Sequence, residues 1–244
     1  MFKEVFSDID NFTLYDVIQN RRFGVEYQPI VEPKSGEIMA WEGLARFINQ
    51  DGKLLRPDLV FEALHADELS LFNVEYQMKW LQLTSAPQGD KLFLNIDPHA
   101  FAFFGNDERN PLLELLKGKN HLVVEIIENT DASDAVYSSD MGRAYREQGL
   151  QIALDDIGAP NSMLSFDVLL SVDYLKLDRS WIKNQKKPHY GHLLNTLCSF
   201  ARASGKKLVL EGVENEEDLM FAQQLGVDYV QGFYYRSLFR QEMP

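Results

Sequence analysis

Eight short apolar, β-prone runs recur along the chain, and stretches with helical patterning separate them. Most of the runs are continuous rather than alternating, which is typical of strands covered on both faces. A strand followed by a helix, repeated every roughly 20 to 35 residues, predicts βαβ units. The runs are VEYQPIV, EIMAWEGLARF, KLFLNI, HLVVEII, QIALDD, DYLKLD, KLVLEGV and DYVQGFYY.

The stretches between the runs carry helix signals of their own. PDLVFEALHADELSLFNVEYQMKWLQL predicts one long helix or two, and two later helices are expected to end at Gly149 and Gly205. The helix in NEEDLMFAQQLG is expected to begin at the N-cap Asn215 and to end at Gly226. Helices of this kind fit the crossovers of a parallel sheet.

About eight strands in 244 residues predict an α/β protein with a (β/α)8 barrel of the TIM type. A doubly wound open sheet is the competing architecture, but no Gly-rich dinucleotide fingerprint follows an early strand. We expect residues 1–244 to form a single domain, with residues 1–23 as a helical lead-in.

Composition excludes some classes of function. The formal net charge is −13 and the pI about 4.8, which argues against binding to long nucleic acid, because that requires a basic surface. The single cysteine, Cys198, forms no internal disulfide. The N-terminus does not resemble a signal peptide, and no apolar run is long enough to span a bilayer. We therefore expect a soluble cytoplasmic protein with no membrane segment.

Polar side chains lie at or just after the ends of the apolar runs. At any single position a turn or capping role is the simpler interpretation. Six strands repeat the feature, however, and the C-terminal ends of barrel strands gather at one face, so these side chains are expected to converge. They are Glu42, Arg46, Asn95, Glu125, Glu128, Asp155, Asp156, Lys176, Asp178, Glu211, Glu214 and Gln231.

Converging carboxylates need protons or cations, since two of them about 4 Å apart repel by roughly 4 kcal/mol at an effective dielectric of about 20. All-oxygen ligands, including the Asn95 amide, favour Mg²⁺ or Mn²⁺ over zinc. The adjacent acids Asp155 and Asp156 suit two ions bridged by one carboxylate. At such a site Lys176 is expected to orient the attacking water, and Arg46 to bind a phosphate.

These motifs, in this order, resemble the EAL-domain phosphodiesterases, which linearise the bacterial messenger cyclic di-GMP. The name-giving motif reads WEGLARF, and the resemblance continues through YQPIVEPKSGEI, LFLNI, VVEIIE, IALDD, VDYLKLDRS, LVLEGVE and LGVDYVQGFYY. It covers nearly the whole chain from about Tyr27. It implies a barrel with one irregular antiparallel strand near its start, a homodimer, and hydrolysis of cyclic di-GMP to linear pGpG with two Mg²⁺ or Mn²⁺ ions.

The resemblance also implies a role for each matching residue. Lys176, Glu211 and Glu42 would be catalytic, and Glu128 would stabilise the loop after Asp156. The residues implied in substrate binding are Gln28, Leu44, Arg46, Glu214 and Gln231. The ligands implied for the two ions are Glu42, Asn95, Glu125 and Asp155 for one, and Asp155, Asp156 and Glu211 for the other.

The sequence departs from the family pattern at two places. Gly43 replaces alanine in the Glu-Ala-Leu motif, and Pro160 lies where the loop after Asp156 commonly has a glycine. Proline fixes φ near −65° and removes an N–H, so activity, dimerisation or their coupling is expected to change. A catalytically impaired domain that acts as a cyclic di-GMP receptor or protein-binding regulator is therefore the alternative to an active enzyme. A different barrel enzyme for phosphate substrates is a more distant one.

Overall fold

A computed structural model describes residues 9–127, 132–160 and 163–244, and in it the eight predicted runs form a closed barrel. Two additional short strands, β3 and β10, extend the sheet. The strands are β1 Phe23–Val31, β2 Ile38–Ile48, β3 Leu54–Leu55, β4 Lys91–Asn95, β5 Leu122–Ile127, β6 Gln151–Ile157, β7 Tyr174–Leu177, β8 Lys207–Leu210, β9 Tyr229–Val230 and β10 Arg240–Glu242.

The barrel follows the order β1-β2-β4-β5-β6-β7-β8-β9 and closes where Val31 of β1 pairs with Val230 of β9. Strand β1 is antiparallel to both of its barrel neighbours, while the pairs from β2 and β4 to β8 and β9 are parallel. The predicted (β/α)8 fold with one antiparallel strand near its start is confirmed.

Helices connect the parallel strands, and their ends follow from the residues there. The long predicted stretch forms two helices, α2 and α3, with Asp67 capping the second by accepting from Ser70 N. Gly205 and Gly226 end their helices in the left-handed conformation. The helices are α1 Asn11–Gln19, α2 Pro57–Leu64, α3 Glu68–Thr84, α4 Pro98–Ala102, α5 Pro111–Leu116, α6 Ala132–Glu147, α7 Phe166–Ser171, α8 Ser180–Asn184, α9 Pro188–Ser204 and α10 Glu216–Leu225.

Three apolar clusters stabilise the described part of the fold, and two of them bear on the position of the site. The larger of these two lies between the outer face of the strands and the helices, and includes Leu94, Leu175 and Leu208. A smaller cluster fills one end of the interior, where the rings of Phe93 and Tyr174 meet edge to face with centroids 5.0 Å apart. The other end of the interior is polar.

The last predicted strand, DYVQGFYY, is shorter than its sequence suggests. Only Tyr229 and Val230 pair with the sheet, and Phe233–Leu238 forms a 3₁₀ helix. The reason is a competing backbone partner, because Val213 N donates to Gln231 O (3.0 Å) and Tyr234 N donates to Val213 O (3.0 Å). Within the part of the chain that is described, no helix combines the length and the apolarity needed to cross a membrane.

Candidate active site

The predicted acids converge at the C-terminal ends of the parallel strands. Glu42 and Asp155 lie within β2 and β6, and Glu211 directly follows β8. Asn95, the last residue of β4, is in register with Glu125 on β5. The register of neighbouring strands therefore places the side chains at one level of the barrel.

Lys176 lies at the centre of this group and is completely buried. Its Nζ is 2.5 Å from Glu125 Oε1, 2.9 Å from Glu211 Oε1, 3.1 Å from Asp155 Oδ1 and 3.4 Å from Glu42 Oε1. One ammonium thus contacts four carboxylates, each from a different strand or strand end. Burial lowers the pKa of Lys176, but the four acids outweigh it and raise the pKa well above its ordinary value, so the lysine is cationic.

The acids form two groups with the geometry of cation sites. In Glu42, Glu125 and Asp155, and again in Asp155, Asp156 and Glu211, one oxygen from each residue lies within 4.8 Å of the others. Asp155 belongs to both groups, as a bridging ligand must. All-oxygen donor sets of this kind, buried in the first group and partly buried in the second, fit Mg²⁺ or Mn²⁺.

Asn95 holds two of these acids together. Its Nδ2 donates to Glu125 Oε2 (2.7 Å) and to Glu42 Oε1 (3.1 Å). The amide nitrogen thus faces the carboxylates, and a half-turn about the terminal bond of the side chain would present the oxygen instead. The position of Asn95 therefore fits the predicted ligand, although the orientation of its amide does not.

Burial makes most of these carboxyl groups harder to ionise. It raises the pKa of Glu125 and Glu211 well above the ordinary value, with neighbouring acids adding to the effect, and it also raises that of Asp155. Burial and the charge of Asp155 raise the pKa of Asp156 to about 7. In Glu42 the effect of burial is outweighed by Lys176 and by hydrogen bonds from other groups, so its pKa is lowered.

A bulge at the end of β6 places the two adjacent acids on the site. The register with β7 shifts between Leu154 and Ile157, and Asp156 adopts a left-handed backbone with φ 57°. Non-glycine residues rarely adopt this conformation, although Asp and Asn tolerate it best. Asp156 N donates to Asp155 Oδ1 (2.9 Å). This uncommon backbone conformation lies within the acidic centre, and such strain is common at functional sites.

Four of the five residues implied in substrate binding, all except Arg46, line a cavity of about 300 Å³ that several of the acids also line. Gln28 on β1 is directly opposite Glu42 on β2 in the antiparallel register. From the other side, Gln231 Nε2 donates to Glu42 Oε2 (2.5 Å), while its buried Oε1 has no hydrogen-bond partner among the described residues. Leu44 and the exposed Glu214 also line this cavity.

A second cavity of about 550 Å³ adjoins the first and shares Leu44 with it. Its wall includes Arg46 and the buried pair Glu75 and Lys79, whose Oε1 and Nζ are 3.3 Å apart. Burial raises the pKa of Glu75 despite this lysine. The lining of this second cavity is mostly apolar, with a few charged groups in its wall, whereas polar and apolar groups line the first cavity more evenly.

The sequence did not predict Glu26, which contacts residues of the site, and it did predict Glu128, which the structure does not describe. Glu26 on β1 binds both Arg46 and Gln28, but it lies inside an apolar run and nothing in the run signals its partners. Glu128, which the resemblance implies as a loop-stabilising residue, lies outside the described residues. Its role stays a prediction.

Fold and site together define a (β/α)8 barrel protein with an acidic centre at the C-terminal ends of its strands. Barrel enzymes carry their active sites on this face. The family model for the EAL domain matches residues 13–237. The chain therefore belongs to the EAL-domain family, as its motifs indicate.

Known proteins of this family resemble the chain in sequence and in structure. PdeB of Escherichia coli, named a probable cyclic di-GMP phosphodiesterase, is 31% identical over 94% of this chain and 45% of its own length. The Bacillus subtilis protein YkuI, solved with cyclic di-GMP and calcium, is 26% identical with a TM-score of 0.77 over 97% of this chain and 59% of its own. An EAL-domain protein from Listeria monocytogenes shares the fold, with 24% identity and a TM-score of 0.75 over 94% and 93% of the two chains. The chain spans about half the length of the curated relatives PdeB and YkuI.

Proposed function

We propose that the chain is a metal-dependent phosphodiesterase that hydrolyses cyclic di-GMP to linear pGpG as a single EAL domain. The observation that carries this proposal is the intact acidic centre, in which two carboxylate groups share Asp155 around the buried cation Lys176. Holding so many acids together raises the pKa of all of them except Glu42 and costs stability. A site that served folding alone would not need them.

The residues present fit two divalent cations. Glu42, Asn95, Glu125 and Asp155 would hold one Mg²⁺ or Mn²⁺, and Asp155, Asp156 and Glu211 the other. Bound there, the ions would stabilise charge on the phosphoryl oxygens and favour ionisation of water.

The chain's own polar groups would orient the phosphodiester. Because Lys176 stays protonated, it acts as a hydrogen-bond donor to the attacking water and not as a base. Glu42 and Glu211, both in contact with Lys176, keep its ammonium group at this place. In the reaction the water oxygen bonds to phosphorus, the P–O3′ bond breaks, and the 3′ oxygen takes a proton, which leaves a 5′-phosphate on pGpG.

Substrate binding is proposed for the residues around the two cavities. The guanidinium of Arg46 suits a phosphate oxygen. The Oε1 of Gln231 has no partner within the described part of the chain, and it suits a donor on the ligand. Gln28 and Glu214 offer further polar contacts, and Leu44 offers an apolar contact between the cavities. Since the proposed substrate is a nucleotide messenger, we expect the protein to act in the cytoplasm.

The test is incubation of the purified protein with cyclic di-GMP and Mg²⁺ or Mn²⁺, with pGpG followed by chromatography. We expect turnover that Glu42→Ala and Asp155→Asn each reduce at least about 100-fold, the scale of losing a group that stabilises the transition state. Glu37→Ala, at an exposed position directly before the first residue of β2, is the control and should keep its activity. Retained activity in either site variant would contradict the two-ion assignment.

A receptor without turnover is the second candidate, favoured by the proline in the loop after β6. Pro160 is exposed and directly follows a turn beside the acidic centre, which Ala159 N closes by donating to Asp156 O (2.9 Å). Binding of cyclic di-GMP with no product in either metal would support this candidate. If Pro160→Gly restored turnover, the loop would be the cause of the missing activity.

A homodimer is proposed from the surface that follows this loop. Four large apolar side chains project there with exposed fractions from 36% to 74%, more than an isolated surface position explains. They are Met163, Leu164, Phe166 and Leu170. Sedimentation velocity at micromolar concentration should show a dimer that Phe166→Asp converts to a monomer, and a monomeric native protein would contradict the proposal.

A further inference from the structure

Glu26 is a buried carboxylate to which the proposed reaction gives no role. It is 8% exposed and accepts hydrogen bonds from three side chains. Gln28 Nε2 donates from 3.0 Å, Arg46 from 2.5 Å through one terminal nitrogen, and Gln241 Nε2 donates to the second oxygen. Two of the three donors are residues proposed to bind substrate.

The antiparallel register of β1 and β2 brings these groups together. Gln28 is opposite Glu42, Glu26 is opposite Leu44, and Gly24 is opposite Arg46. Alternate residues of a strand share a face, and diagonal neighbours across two strands are within reach of long side chains. Glu26 therefore lies on the same face as the substrate residues and one step from Arg46.

The third donor comes from a segment that the EAL family model does not include. The model matches residues 13–237, whereas Gln241 lies in β10, which pairs with β1 from Val25 to Tyr27. Gly24 permits this close approach, because a Cβ there would lie 2.9 Å from Met243 Cα and would overlap the Glu242 carbonyl.

Neighbouring side chains also attach β10 to the barrel. The guanidinium of Arg240 lies 4.9 Å from the ring centroid of Trp41 on β2. A cation over an aromatic face is a stabilising contact. The C-terminal strand is therefore held on both sides of the hydrogen bond from Gln241 to Glu26.

We propose that Glu26, with Gln241 of the C-terminal strand, is a positioning residue that holds Arg46 and Gln28 for the substrate. A carboxylate only accepts hydrogen bonds, so it selects the orientation in which Gln28 turns its nitrogen to Glu26 and keeps its oxygen for the ligand. Arg46 is fixed by two contacts, to Glu26 and to Ala45 O (2.8 Å), and retains further N–H groups for a phosphate. The inference rests on the proposed function.

The charge of Glu26 supports this role. Burial raises its pKa, but the hydrogen bonds from Gln28 and Gln241 and the guanidinium of Arg46 outweigh burial and lower it. Glu26 is therefore ionised at neutral pH. An ionised, buried acceptor makes stronger hydrogen bonds than a neutral one.

The first test measures how readily the side chain of Arg46 is chemically modified, and it does not depend on turnover of substrate. Phenylglyoxal modification is followed by peptide mass spectrometry, with the exposed Arg109 as internal reference. We expect Arg46 to react at least about fivefold faster in Glu26→Gln and in Gln241→Ala. The reason is that a guanidinium fixed by hydrogen bonds reacts more slowly than one that is free to move. Glu242→Gln, on the same strand with an exposed side chain, is the matched control. Equal rates in all variants would overturn the proposal.

The second test separates positioning from chemistry. For cyclic di-GMP we expect Glu26→Ala to raise KM about tenfold with kcat within about twofold, since it loosens binding without touching the acidic centre. Glu26→Gln keeps the shape and should give an intermediate KM. A fall in kcat at unchanged KM would contradict positioning. Absence of turnover in the native protein would contradict the proposed function instead, and the modification rates would still decide the role of Glu26.

Discussion

At the scale of single residues, the charge balance around Lys176 dominates the site. Four carboxylates lie within 3.4 Å of its Nζ, and Asp156 adds a fifth acid nearby. Adjacent carboxylates repel by several kcal/mol at the dielectric of a protein site, about 4 kcal/mol at 4 Å. The buried ammonium is therefore what allows the acids to remain close together in the absence of other cations.

Replacing this lysine tests that balance. We expect Lys176→Met to lower the free energy of unfolding by about 3–5 kcal/mol in EDTA, because buried acids lose their partner. In a chain of this size that corresponds to a Tm lower by roughly 10 °C. Lys207→Met, which removes an exposed lysine paired with Asp228, is the control and should shift Tm by less than about 3 °C. Equal shifts would show that Lys176 has no special role in stability.

The site residues were predictable from sequence where they interrupt an apolar strand at its C-terminal end. Glu125 and Lys176 are polar residues in runs that are otherwise apolar, and barrel geometry then implies that they meet. Glu26 also interrupts an apolar run, but it lies near the start of the antiparallel strand β1 and was not predicted. Its partners Arg46 and Gln241 lie 20 and 215 residues away, and no local pattern indicates such a contact.

At the scale of elements, the end of β6 is supported by the helix that follows β7. Trp181 Nε1 donates to Ile157 O (2.6 Å), and Ser180 Oγ donates to Gly158 O (2.8 Å). Gly158 has φ +87° and lies against the Trp181 ring, where a Cβ would overlap the indole. This contact keeps the backbone beyond Asp156 in the conformation that presents both acids.

Gly158→Ala should therefore weaken metal binding as well as stability. The added methyl displaces Trp181, and overpacking of this kind costs about 1–3 kcal/mol. Part of the displacement reaches Asp156, so we expect Mn²⁺ affinity measured by calorimetry to fall about tenfold. Gly118→Ala is the matched control, because Gly118 has φ +74° with open space around its Cβ position. If both variants lost the same stability and Mn²⁺ affinity, backbone strain alone would explain the effect, and the contact with Trp181 would not.

The elements themselves were predicted unevenly, for physical reasons. Long continuous runs such as KLFLNI and HLVVEII became strands because burial on both faces demands it. The end of DYVQGFYY did not, since its backbone bonds to Val213 instead of the sheet. The C-terminal strand Arg240–Glu242 is exposed and polar, so no hydrophobic pattern marks it. Tertiary contacts decide its pairing with β1, and local sequence does not.

At the scale of the whole molecule, the acidic centre links global stability to pH and to metal ions. A carboxyl whose pKa is higher in the folded state binds its proton more tightly there than in the unfolded chain. The carboxyl therefore makes its full contribution to stability at pH values below its pKa in the unfolded chain. The contribution is lost as the pH rises to its pKa in the folded protein. For Asp156 that window runs from 3.8 to about 7.

The variant Asp156→Asn isolates this contribution, because asparagine also tolerates the left-handed backbone of residue 156. In EDTA we expect the variant to be as stable as the native protein near pH 4 and progressively more stable up to about pH 7, by at most about 4 kcal/mol. Adding Mn²⁺ should reverse the order, since only the native protein keeps both ligand sets and gains the stability of binding. Asp51→Asn makes the same charge change at an exposed position and should follow the native protein throughout. Thermal unfolding at several pH values measures all three, and a difference that does not grow with pH would contradict the burial of Asp156 as its cause.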